Sequence, residues 1–140
     1  MQALGLAWNS LRFKDIHEAP IGSREHDKAD IAELLVHCCD LAHTAKSFSL
    51  CSHWAQLLRQ EHIAQSKEEI TLGLAVTPFI KDLEDVRAFY KNEVSFTTVI
   101  VQPLWECVHA GLQPYTAPQL KALTANIAAY KDLLSQALET

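Results

Sequence analysis

Phe89-Tyr-Lys-Asn-Glu93-Val-Ser-Phe96-Thr-Thr-Val-Ile100-Val-Gln-Pro103 is the stretch whose reading decides the fold. Phe89, Glu93, Phe96 and Ile100 fall at i, i+4, i+7 and i+11, so a helix places them on one face with Glu93 between two aromatic rings. Val99-Ile-Val101 favours a strand on propensity, but it lies within the helical stripe and is read as helix. Pro103 has no N–H to donate and predicts a kink or break in a helical segment running from about Asp85 to Gly111. The carboxylate in this stripe needs a reason. An acid in apolar surroundings costs several kcal/mol or takes up a proton, so Glu93 is expected to face a ligand, a cation or a wet cleft.

The same periodicity extends in both directions. Residues from about Ala29 to His43 set Ile31, Leu34, Leu35 and Cys38 on one face, with His26 or Asp27 near the start. Ser47 or Ser49 can cap the next helix, which runs through Trp54, Leu57 and Leu58 towards Ala64 before Gly73 and Pro78 interrupt. Thr116-Ala-Pro-Gln119 has the form of a capping box with an early proline, and it opens a helix with the stripe Leu120, Leu123, Ile127, Tyr130 and Leu134. No alternating segment of useful length appears. The expectation is an all-α helical bundle, a single domain over residues 1–140 with residues 1–28 as an irregular lead-in.

Composition narrows the function classes. With 140 residues, 49% hydrophobic and 21% charged, the chain can bury a working core. A net charge of -5 and the lack of clustered Lys and Arg argue against an electrostatic nucleic-acid binder. The apolar runs are too short for a membrane span, and the opening Met1-Gln-Ala-Leu-Gly-Leu-Ala-Trp8 lacks the features of a signal peptide. Four cysteines without regular spacing then read as reduced thiols, and a cytoplasmic location is expected.

His37, Cys38, Cys39, Asp40 and His43 crowd metal-friendly atoms into a short stretch. On a helix, however, His37 shares a face with Asp40 while Cys39 shares another with His43, so one metal reaches only two of them. Cys38 and Cys39 read as small buried hydrophobes. Asp40 reads either as one ligand of a site completed elsewhere or as a helix-end carboxylate bonded to nearby backbone or to Lys46. No Gly-rich phosphate loop or nucleophile elbow is present, and no catalytic residue is assigned.

From about His37 to Leu133 the chain resembles the C-terminal half of the catalytic domain of class I 3',5'-cyclic nucleotide phosphodiesterases. The family pattern His-x-x-Asp-Leu-x-x-x-x-Lys is matched by His37, Asp40, Leu41 and Lys46, and its following Trp by Trp54. Gly73 and Thr77-Pro78 follow, and then Lys91, Val94, Phe96 and Pro103-Leu104-Trp105-Glu106 match Lys-x-Gln-Val-x-Phe and Pro-Leu-Trp-Glu.

The resemblance implies hydrolysis of cyclic AMP or cyclic GMP to the 5'-nucleotide, a step that ends second-messenger signals. It implies a two-metal centre of Zn and Mg (or Mn) that polarises the cyclic phosphate, with Asp40 as a metal ligand. Phe96 would stack on the purine, with Leu58 and Phe79 on or near the opposite side. Glu93 stands where the family has a glutamine that reads the purine edge. His43 stands in place of a family Asn near the cleft, and Lys81 in place of an Asp. An amide donates and accepts, whereas a carboxylate only accepts, so altered nucleotide binding is expected.

In the family the metal-binding histidines, the metal-bridging aspartate and the protonating histidine come from the N-terminal half, in a His-Asn-x-x-His pattern that this chain lacks and a His-Asp pattern for which the doublet present here, His26-Asp27, lies outside the resembling stretch. A catalytic zinc uses about three protein ligands plus water, so the chain alone is expected not to hydrolyse anything. Helices of the other half would cover part of this one. Without them an apolar face is left for self-association or for docking to the missing N-terminal half. The alternative is a non-catalytic helical interaction or regulatory module derived from a phosphodiesterase.

Overall fold

The computed structural model describes residues 27–139, which form helices and no strand. In chain order these are α1 (Asp27–Asp40), a 3₁₀ turn (Ala42–Ala45), α2 (Phe48–Thr71), a second 3₁₀ turn (Pro78–Ile80), α3 (Val86–Phe96), a π turn (Thr97–Val101), α4 (Gln102–Gly111) and α5 (Ala117–Glu139). The expected lead-in falls almost wholly outside the described residues, while Asp27 and Lys28 already belong to α1. No helix among the described residues is long and apolar enough to cross a membrane.

α1 stops at Asp40 instead of continuing to His43 because Thr44 offers the backbone a tighter arrangement. Its hydroxyl donates to the Leu41 carbonyl at 2.6 Å and its N–H donates to the same oxygen at 3.1 Å. α2 follows from the N-cap position Ser47 and runs past Ala64 to Thr71. There Gly73 takes φ +68. Its N–H donates to the Ile70 carbonyl at 3.1 Å, and the Leu74 N–H donates to the Glu69 carbonyl at 2.8 Å, closing the helix with a Schellman motif.

Pro103 produces a change of register instead of a break. The Gln102 N–H reaches back five residues to the Thr97 carbonyl, and the Thr97 hydroxyl donates to the Glu93 carbonyl at 2.6 Å. Each turn here holds more residues, so the buried positions step from Phe89 to Thr97 to Val101, at 1%, 2% and 0% exposure. The expected face of Phe89, Glu93, Phe96 and Ile100 therefore holds only in part, and Ile100 turns outward at 39% exposure. Pro103 then sits in the first turn of α4, where its missing N–H leaves no bond broken.

Two core clusters result. One joins Leu34 and Cys38 of α1 with Ala45, Val101, Leu104, Trp105, Val108, Leu123 and Ile127. The other joins Cys51 and Ala55 of α2 with Phe89 and Tyr130. α5 contributes to both. Leu35, Trp54 and Leu57, placed by periodicity on helical faces, are exposed. Cys39, read as buried, is exposed too, while Cys38 is buried. The capping box before α5 does not form: the Thr116 hydroxyl pairs with His109 Nδ1 at 3.0 Å, and buried Gln119 Oε1 has no partner.

Residues 74–85 are strapped to α2. Arg59 donates from Nε to the Leu83 carbonyl at 2.7 Å and from Nη2 to the Glu84 carbonyl at 2.9 Å, and its guanidinium lies 4.8 Å from the centre of the Phe89 ring. Ser66 donates to the Ile80 carbonyl at 3.0 Å. Nothing lies within 4 Å of a Cβ placed on Gly73, so Gly73→Ala tests backbone strain alone. It is expected to cost about 1 kcal/mol in urea denaturation, by forcing an L-residue into the left-handed region.

Candidate nucleotide-base site

Asp40 ends α1 with its side chain exposed. The His43 imidazole is half-buried in the following 3₁₀ turn. Burial pulls its pKa down, partly opposed by its hydrogen bond to the Asp40 backbone carbonyl, so the ring is neutral near pH 7. Among the described residues Asp40 makes no ion pair with Lys46, and its exposure goes against the alternative of a buried helix-end carboxylate. His37 and Cys39 are exposed and Cys38 is buried, so the stretch is spread over different faces. Among the described residues no group of three or more His, Cys, Asp and Glu could hold a metal ion. These residues alone therefore do not fit a metal centre.

The turn that carries His43 is held from across the molecule. Asn126, on the buried face of α5 at 2% exposure, donates both amide protons, to the Thr44 carbonyl at 2.8 Å and the Lys46 carbonyl at 2.9 Å. The sequence reading missed this residue. The available signal was a lone amide inside the Leu123, Ile127 and Tyr130 stripe, the same kind of signal that singled out Glu93.

Phe96, the last residue of α3, packs its half-buried ring against the first core cluster, as does Leu41 beside Asp40. Phe79 meets Phe96 edge to face, with ring centres 5.7 Å apart and planes inclined by 60°. Phe79 is the exposed partner, presented by the turn that Ser66 and Arg59 fix to α2. Leu58 is half-buried on α2 and belongs to neither core cluster. The fold thus brings Phe79 to Phe96 and His43 to Asp40.

Glu93 lies one turn before Phe96, half-buried, with no hydrogen bond or ion pair to its carboxyl among the described residues. Burial pushes its pKa from 4.5 up to about 7. Its neighbours are polar but uncharged. Burial pushes the Cys51 thiol up to about 11, with a hydrogen bond to Tyr130 acting the other way and Glu93 adding to the rise. Burial, then Cys51 and Glu93, also raise the Tyr130 hydroxyl, which makes no hydrogen bond of good geometry.

The all-α arrangement of the described helices matches solved structures of phosphodiesterase domains. Against the phosphodiesterase domain of Salpingoeca rosetta rhodopsin phosphodiesterase the TM-score is 0.86 at 20% identity, covering 98% of this chain and 42% of that one. The 3'5'-cyclic nucleotide phosphodiesterase family profile matches residues 10–123, and the chain belongs to that family. It is 31% identical over 108 residues to a Drosophila melanogaster 3',5'-cyclic-AMP phosphodiesterase, isoform F, covering 77% of this chain and 16% of that protein. It is 30% identical over 92 residues to the dual specificity calcium/calmodulin-dependent 3',5'-cyclic nucleotide phosphodiesterase 1 of the same species, covering 66% of this chain and 11% of that protein. The chain thus spans a small part of these relatives' length.

Two measurements follow from the geometry. Asn126→Ala removes one buried and one partly buried hydrogen bond and strands the Thr44 carbonyl, so it is expected to cost about 2–3 kcal/mol in chemical denaturation. Glu93 holds its proton to higher pH in the folded chain than in the unfolded one. The stability it contributes is full below about 4.5 and is lost as pH rises through about 7. Denaturation as a function of pH should show this loss, of order 2–3 kcal/mol, and Glu93→Gln should abolish it.

Proposed function

We propose that this chain forms the base-binding half of a catalytic domain that hydrolyses 3',5'-cyclic nucleotides, and that it does not turn them over by itself. The observation that carries the reading is the Phe79–Phe96 pair one turn from Glu93, in a chain of this family. Phe96 is the shelf on which a purine stacks, because its ring is braced by the core. A base held on both faces needs two contact layers of about 3.5 Å each between the rings, so Phe79 turns aside to admit it. Leu58 and His43 complete the walls, and Glu93 meets the base edge. Asp40 is one ligand for the Zn and Mg (or Mn) ions that the family uses, the others coming from outside the described residues. The four cysteines are free, which supports placing the chain in the reducing cytoplasm.

A second reading has its own observation. Leu50, Trp54 and Leu57 form an exposed apolar row on α2, at i, i+4 and i+7. It suits docking to the rest of a catalytic domain, or a non-catalytic role as an interaction module.

The test is hydrolysis of cyclic AMP and cyclic GMP by the purified chain with zinc and magnesium, alongside binding followed by NMR. Binding weakened roughly tenfold by Phe96→Ala, without turnover, is the expected result. Turnover abolished by Asp40→Ala would show that the chain assembles a complete metal site. Absence of binding would remove the base-site reading and favour docking.

A further inference from the structure

Glu93 combines an uncompensated acid with a position one turn from the Phe96 ring. The groups that act on it from neighbouring elements are the Cys51 thiol of α2 and the Tyr130 hydroxyl of α5, while the Thr97 hydroxyl at the start of the π turn is taken up by the Glu93 backbone carbonyl. The Pro78–Ile80 turn brings Phe79 to the adjacent Phe96 and carries no titratable side chain; Lys81 beyond it is exposed. Among the described residues no cation holds the carboxyl in its ionised form, and the ion pairs there lie elsewhere, at Lys67–Glu84 and Arg87–Asp85.

The two protonation states of a carboxyl present different patterns. The protonated acid offers one O–H donor beside one carbonyl acceptor, whereas the carboxylate offers two acceptors and no donor. Adenine presents an amino donor next to a ring-nitrogen acceptor, which pairs with the protonated acid. Guanine presents its ring N–H beside its exocyclic amino group, two adjacent donors that pair with the carboxylate.

We propose that the proton on Glu93 selects the purine: the protonated side chain reads adenine and the ionised side chain reads guanine, so base preference in this pocket reverses with pH. The inference rests on the base-site reading above and adds the regulation of its specificity. Burial places the proton's release at about 7, within the range of ordinary solution conditions. Neither neighbour competes for that proton, because burial holds both Cys51 and Tyr130 in their neutral forms at that pH.

The experiment measures the ratio of cyclic AMP to cyclic GMP affinity by NMR titration of the chain, from about pH 6 to about pH 8. A ratio cancels effects of pH common to both ligands. The expected ratio falls roughly tenfold towards cyclic GMP as pH rises. Glu93→Gln, whose amide rotates to suit either base and does not titrate, should bind both with a flat ratio. Binding by the wild type with a flat ratio overturns the proton selection and leaves the base site standing. Binding of neither nucleotide by wild type or variant overturns the base site and the selection together.

Discussion

The missing N–H of Pro103 constrains the middle of this structure. A proline inside an α-helix loses one bond and pushes away the carbonyl of the preceding turn. The chain absorbs this by widening to a π turn at Thr97–Val101, so that Pro103 lies in the first turn of the next helix. The register change sends Val101 into the core and Ile100 out of it. Phe96 is left at the junction of the two registers, with its ring packed on one side and met by Phe79 on the other. The placement of Phe96 beside Glu93 thus follows in part from how the helix accommodates one residue.

The site is built from polar groups set into apolar faces, and two of these illustrate opposite solutions. Asn126 is neutral and fully used, each of its amide protons meeting a carbonyl of the turn after α1. Glu93 has no such partner and responds by holding its proton. The first fixes backbone that carries His43 close to Asp40. The second leaves hydrogen-bonding capacity unspent on the described residues.

Much of the helical architecture was legible in the sequence because apolar spacing, Gly73, Pro78 and Ser47 are local signals. What was not legible depended on tertiary context. The face drawn through Ile100 assumed an unbroken α period, which the π turn violates. Thr116 and Gln119 had the form of a capping box, but His109 claims the Thr116 hydroxyl. Trp54 and Leu57, assigned by periodicity, and Cys39, read as a small buried hydrophobe, lie on faces that are exposed among the described residues. At the candidate site, Glu93 and Phe96 could be found as members of one stripe, and Asp40 and His43 as close neighbours in sequence. The meeting of Phe79 with Phe96 depends on Arg59 and Ser66 strapping a loop to α2, which no spacing rule encodes.

The position of α5 bears on the order in which the molecule can assemble. Leu123 and Ile127 close one core cluster, Tyr130 closes the other, and Asn126 reaches a turn 82 residues earlier. On a ribosome the helices before α5 emerge with both cores open and with the carbonyls of Thr44 and Lys46 waiting for a donor not yet made. Contacts of such long sequence separation close late, since their loop entropy is spent before they return anything. Until α5 arrives, the apolar faces of the earlier helices are therefore left without the side chains that close both clusters.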